Sequence, residues 1–189
     1  MFRQQIYISL YFPPRTAVGS CLADKLGWEL YDADDYHPKE NKEKMIKGIP
    51  LNDEDRLPWL CILRDILVRE KLLGKNMILA CSALKRMYRR VLTGEQSAAT
   101  DTETSQNQEY AAPASSKNEI LFVYLHGSME LISKRLESRE GHFMSPSLLQ
   151  SQFDTLEPPD KTENFMSISV EKNILEIVTE IMQRLNCNL

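Results

Sequence analysis

The sequence of 189 residues predicts an α/β fold organised around a mainly parallel sheet. Two observations carry this expectation. Short apolar runs alternate with longer segments of helical period, as in consecutive strand–helix–strand units. The helical segments also have Asn, Ser or Pro at the front and Gly behind, where helices start and stop.

The elements run in order. Residues 5–12 read as a first strand, and residues 18–26 as a helix with Gly27 behind its end. Residues 28–31 form a second short strand. Residues 38–47 are helical, with Pro38 at the first helical position and Gly48 closing the helix. The clearest helix spans 53–73, where Trp59, Ile62, Leu63, Ile66 and Leu67 are spaced to share one face. A buried strand at 77–81 precedes a helix at 84–92. Residues 120–125 make the most apolar strand, and Ser128 caps a helix from 129 to 138. Ser145-Pro146 opens a helix to about residue 156, residues 165–170 are the last strand, and Asn173 caps a final helix to residue 185. Residues 93–118 break the pattern. Tyr110 is their only large apolar residue, so they cannot bury enough surface to offset ordering entropy. They read as a disordered insertion inside a single domain of residues 1–189, because the strand–helix alternation resumes after them.

Composition narrows the class. Hydrophobic residues make up 42% and charged residues 26%, a soluble balance, and a net charge of −4 argues against a dedicated nucleic-acid binder. No apolar run approaches the ~18 residues of a membrane span. The N-terminal stretch ends in Pro13-Pro14 without a small-residue cleavage site, a poor fit to a secretory signal. Cys21, Cys61, Cys81 and Cys187 are scattered, as expected of free thiols in a reducing, cytoplasmic setting. The three histidines are too dispersed for a histidine metal site, and G-x-S-x-G is absent.

The chemistry-bearing residues begin with Asp32 and Asp34, just past the second strand. If the chain stays extended there, both carboxylates project from one side. One could hold Mg²⁺ through water while the other accepts a proton from a substrate hydroxyl; a solvated acidic turn is the alternative. In Asn52-Asp53-Glu54-Asp55-Arg56 the acids suit a helix start. Arg56 does not suit it, and an arginine there fits a carboxylate or phosphate. Ser82 either caps the next helix or bonds a ligand hydroxyl. Lys85, Arg86, Arg89 and Arg90 read as a solvated basic face. Arg135 and Arg139 share a helix face leading into Gly141, an arrangement suited to a lid over nucleotide phosphates.

Taken together, GWELYDADDYHP (27–38), KMIKGIPLNDEDRLPWL (44–60), ILACSALKRMYR (78–89), LHGSMELISKRLESREGHFM (125–144) and LLQSQFDTLEPP (148–159) resemble gluconokinases of the small P-loop kinase type, relatives of shikimate and adenylate kinases. The match covers nearly everything from Val18 onward except the insertion. The resemblance implies a three-layer P-loop-kinase sandwich with a five-stranded, mainly parallel sheet and a lid. It implies ATP-dependent phosphorylation of D-gluconate at its 6-hydroxyl, a step of sugar-acid catabolism leading to the pentose phosphate pathway, with Mg²⁺ accompanying ATP. It allows a homodimer. Asp34 would contact substrate hydroxyls and act as base, with Asp32 near Mg²⁺. Arg56 would hold the gluconate carboxylate, with Ser82 and Lys85 on the substrate side, and Arg135 and Arg139 would serve the nucleotide.

The chain departs from the family at its start, in the atypical segment 1–17. The family's G-x-x-x-x-G-K-[ST] loop cradles phosphates with backbone N–H groups. Here the corresponding stretch is SLYFPPRTA (9–17), which has no glycine. Kept in register, Arg15 stands at the lysine position and Thr16 at the Mg²⁺-binding hydroxyl. Pro13 and Pro14 supply no N–H donors. This predicts weak or absent turnover. A kinase-like protein that binds without turnover is the second reading.

Overall fold

The computed structural model describes residues 5–10, 15–95, 120–137 and 146–185. Its elements are β1 (Gln5–Leu10), α1 (Arg15–Leu26), β2 (Glu29–Asp32), a 3-10 turn (Ala33–Tyr36), α2 (Lys39–Ile46), α3 (Asp53–Leu72), β3 (Met77–Cys81), α4 (Arg86–Thr93), β4 (Ile120–His126), α5 (Met129–Glu137), α6 (Pro146–Thr155), β5 (Phe165–Ser169) and α7 (Ile174–Arg184). Pro13, Pro14, Arg139, Gly141, His142 and nearly all of the expected insertion lie outside the described residues.

The described strands form one sheet in the order β2-β3-β1-β4-β5, and every neighbouring pair is parallel. Only the step from β1 to β2 runs one way along the sheet; the later steps run the other way. Because parallel crossovers are right-handed, α1 lies on one face and α3 to α6 on the other. Accordingly α1 packs against α7, and α3 against α4.

Strand β3 is buried along its whole length, as a strand covered on both faces must be. Val18 and Leu22 of α1 and Ile177, Val178 and Ile181 of α7 join the core, as do Trp59, Leu60 and Leu63 of α3. Each such side chain contributes about 1.5–3 kcal/mol through burial. Gly127 marks a close approach: a Cβ there would meet Val170 Cγ2 at 2.5 Å. Among the described helices, none is long and apolar enough to cross a membrane.

The expected element order is present, with shifts at the ends. Helix α1 begins at Arg15 rather than at residue 18, so Arg15 and Thr16 sit in its first turn. Pro38 occupies the N-cap position of α2 instead of its first helical residue. The apolar face of α3 also differs from its predicted composition. Ile62 is 41% exposed, while Leu60 and two polar residues, Arg56 and Glu70, turn inward. Leu63→Ala should lower stability by about 2–5 kcal/mol and Ile62→Ala by less than about 1, measured by urea unfolding. Equal losses would contradict the observed rotation of α3.

Candidate active site

The candidate site is built at the carboxyl ends of β2 and β3, where ligands bind in open parallel sheets. Strand β2 ends at Asp32, and the chain bends at once into the 3-10 turn. The expected extended run through Asp34 is therefore not seen. Instead Asp32 caps the turn, its Oδ1 accepting from the Asp34 amide at 3.1 Å. This local bond, rather than strand alternation, keeps the two carboxylates together. The first turn of α1 faces them. Thr16 Oγ1 donates to Asp32 Oδ2 at 2.7 Å. Arg15 Nη2 pairs with Asp34 Oδ2 and lies 3.9 Å from Asp32 Oδ1. The Arg15 side chain is 11% exposed, and its Nε has no partner among the described residues. A threonine hydroxyl beside a carboxylate is a hard-oxygen pair, the donor chemistry Mg²⁺ accepts while keeping waters and phosphate oxygens as its other ligands. No group of three or more His, Cys, Asp or Glu side chains forms a metal site among the described residues.

The second wall is the first turn of α3. Asn52 and Asp55 close a reciprocal capping box. Asp55 also takes Lys44 Nζ at 2.6 Å, and its carbonyl takes Asn41 Nδ2 at 2.8 Å, which ties α2 to this turn. Asp53 accepts Lys85 Nζ at 2.7 and 2.8 Å, and also the Tyr88 hydroxyl. Those two donors hold its carboxyl below the usual carboxylate range. Arg56 comes next. It is 7% exposed, gives Nε to the Leu51 carbonyl at 3.3 Å, and lies 5.8 Å from the centre of the Tyr88 ring. No carboxylate among the described residues forms an ion pair with it. Burial lowers its pKa, opposed by the surrounding Tyr88, Cys81, Asp53 and Asp34. Arg56 is thus a buried cation without a matching anion among the described residues.

His37 and Trp59 join the acidic turn to α3. Their rings stack at 4.2 Å and 15°, and Trp59 Nε1 donates to the Ala33 carbonyl at 2.8 Å. Asn41 Nδ2 lies 3.5 Å from His37 Nδ1. Burial pushes the His37 pKa down to about 4; Asp34 opposes this, while Arg56 and Arg15 reinforce it. Neither His37 nor Trp59 is marked as part of the site by the sequence patterns above. The available signal is their placement, His37 just beyond the acidic turn and Trp59 one helical turn beyond Arg56. The charges converge at the end of β3. Burial drives the Cys81 thiol up to about 12, and the charged groups that next act on it are Arg15, Asp34, Arg56 and Asp32.

The chain is similar to known proteins along most of its length. Over 167 residues the chain is 54% identical to a probable gluconokinase of Xenopus tropicalis, covering 88% of this chain and 85% of that one. The chain belongs to the gluconokinase family. It is also 50% identical to a probable gluconokinase of Mus musculus, over 90% of this chain and 91% of the other. The crystal structure of a gluconokinase from Sinorhizobium meliloti superposes with a TM-score of 0.77 at 33% identity, covering 97% of this chain and 91% of that one. A shikimate kinase from Acinetobacter baumannii, at 14% identity and a TM-score of 0.57, shares the fold alone. No family model matches the chain.

In this gluconokinase-family chain the link from β3 to α4 differs from expectation. Ser82 is buried, but its hydroxyl does not cap α4. The N-cap position is Lys85, without a side-chain cap. The Arg86 amide is satisfied instead by Glu157 Oε2 at 2.7 Å. Nor are the basic residues of α4 simply a solvated face. Arg86 binds Asp160 and Thr162, and Arg89 is 2% exposed. Lys85 is engaged with Asp53, so it borders the Arg56 pocket from the α4 side. Arg135, on α5, donates to the Lys172 carbonyl at 3.4 Å.

The buried, neutral His37 gives the fold an acid limit. Its pKa falls from 6.5 unfolded to about 4 folded, so between those values the unfolded chain binds more protons. Stability from this source is complete above about pH 6.5 and is lost as pH falls toward 4, amounting to up to about 2 kcal/mol by pH 5. Urea midpoints at pH 7.5 and pH 5 should show this drop, and His37→Phe, which keeps a stacking ring, should remove most of it. An unchanged drop in His37→Phe would assign the acid sensitivity elsewhere.

Proposed function

We propose that this chain transfers the γ-phosphoryl group of Mg·ATP to the 6-hydroxyl of D-gluconate, giving 6-phospho-D-gluconate and ADP. The observation that carries the reading is Arg56, buried to 7% exposure with no carboxylate partner among the described residues, beside an acid pair at the carboxyl edge of the sheet. A guanidinium there has its fork free for a planar anion, and the gluconate carboxylate is one. The relatives' names agree with this chemistry.

The residues then take distinct roles. Arg56 grips the carboxylate, and Ser82 and Lys85 line the same side. The polyol chain runs toward Asp34, which accepts the proton of the attacking hydroxyl as its oxygen bonds to the γ-phosphorus and the bond to ADP breaks. Asp32 and Thr16 stand where the Mg²⁺ that accompanies ATP would sit, while Arg135 and Arg139 serve the phosphates from the lid side. The substrate hydroxyl takes the place on Asp34 that Arg15 holds in this structure. We also propose that residues 1–189 form one kinase domain with 93–118 as an insertion.

A second reading, binding without turnover, has its own observations. The segment before α1 contains Pro13 and Pro14 and no glycine, and Arg15 is engaged by the acid pair. Oriented amides do most of the work of holding phosphate, and a lone guanidinium replaces them poorly.

ADP release measured with gluconate and ATP separates the readings directly. Arg56→Ala should weaken gluconate binding by about 2–3 kcal/mol while leaving ATP binding nearly unchanged. A comparable loss for both ligands would remove Arg56 from the carboxylate role. Replacing residues 9–17 with a G-x-x-x-x-G-K-S-T loop should raise ATP affinity and turnover together, read by calorimetry with gluconate present. Equal, tight ATP binding in both versions would show that the altered loop is no defect.

A further inference from the structure

We infer that Arg89, which touches no proposed substrate position, is the positioning residue for the Arg56 pocket, and that it couples this pocket to the segment between α6 and β5. The inference rests on the proposed role of Arg56 in holding the gluconate carboxylate.

Arg89 is 2% exposed, and a buried guanidinium is stabilising only when its donors are well matched. Here they are. Nε and Nη2 donate to the two oxygens of Glu163 at 2.5 and 2.9 Å. Nη1 donates to three main-chain carbonyls: Ala83 at 3.0 Å, Leu84 at 3.4 Å and Glu157 at 3.0 Å. Two of these carbonyls belong to the short link between β3 and α4, outside any strand or helix. The same link is held once more by the same segment, since the Glu157 amide donates to the Leu84 carbonyl at 2.9 Å.

The support of the pocket begins directly after the link. Lys85, the next residue, sends its ammonium to both oxygens of Asp53. Tyr88, three residues on, gives its hydroxyl to Asp53 and lays its ring 5.8 Å from the Arg56 guanidinium and 5.7 Å from Lys85 Nζ. A continuous chain of contacts therefore runs from Glu163 and Glu157 through Arg89 to residues 83–84, on to Lys85 and Tyr88, and ends at Asp53 and Arg56. The connection is geometric. Arg89 fixes the height and rotation of the start of α4, and α4 fixes the first turn of α3. A lysine cannot substitute, because the task needs a planar fork that meets a carboxylate on one edge and carbonyls on the other.

The test uses Arg89→Lys, Glu163→Gln and, as a control for destabilisation alone, Met182→Ala, which removes core volume from α7 on the other face of the sheet. Amide hydrogen exchange without ligand should accelerate at residues 82–86 and in the first turn of α3 in the first two variants, and not in the control. Calorimetry should show a roughly tenfold loss of gluconate affinity with ATP affinity within about twofold, since small displacements of a binding group carry costs of this order. The control should lower the unfolding temperature without changing the ratio of the two affinities. Exchange that accelerates only at residues 157–163, or gluconate and ATP affinities that fall together, would overturn the inference and leave Arg89 a purely structural tie. If the unaltered chain binds no gluconate, the proposed function fails, and the exchange comparison alone decides the coupling. If Arg89→Lys does not fold, Glu163→Gln carries the same comparison.

Discussion

Keeping one guanidinium out of water with no anion beside it among the described residues is the constraint around which this site is arranged. Leaving a charge buried and unpaired is costly, so the surroundings of Arg56 must be fixed by other means. The first turn of α3 provides them. Its own capping box, Lys44 and Asn41 from α2, and Lys85 and Tyr88 from α4 all meet there. Trp59, one helical turn further along, anchors the helix to the Ala33 carbonyl and so to the acidic turn. The first turn of α3 and the acid pair are thus set on one frame.

The acid pair has its own electrostatic logic. Two carboxylates held together by a main-chain bond repel each other, and the Arg15 guanidinium offsets that repulsion from the start of α1. A cation on that helix therefore acts on the turn after β2. Arginine in this position reaches both carboxylates through a single nitrogen, and its Nε has no partner among the described residues.

Much of this is readable in the residues, because the signals involved are local. Caps such as Asn52, Asn173 and Ser128 sit where helices begin, and Gly27, Gly48 and Gly74 adopt the positive φ that ends them. Asp32, Asp34 and Arg56 stand out by spacing, and all three lie at the carboxyl edge of β2 and β3. The unreadable features depend on partners distant in sequence. Arg89 looks like surface charge because its acceptors, Glu157 and Glu163, lie about 70 positions away. The inward face of α3 departs from the periodic pattern at Ile62 because α3 packs on α4 as well as on the sheet, which turns Leu60 and Arg56 inward. His37 gives no signal as a ligand, and its stacking on Trp59 and its contact with Asn41 tie it to the site.

The strand order has a consequence for how the chain is made. β1, which precedes the other described strands in the sequence, lies in the middle of the sheet, with Gln5 opposite Met77 on one side and Ile120 on the other. It cannot complete its hydrogen bonding until β4 has emerged, and β4 comes after the long stretch beyond α4. During that interval β1 can pair with β3 on one side while its other edge stays unpaired, a state open to mispairing. Vectorial synthesis therefore places the kinetic risk of this fold on its first strand, while the helices and strands that carry Asp34 and Arg56 can assemble behind it.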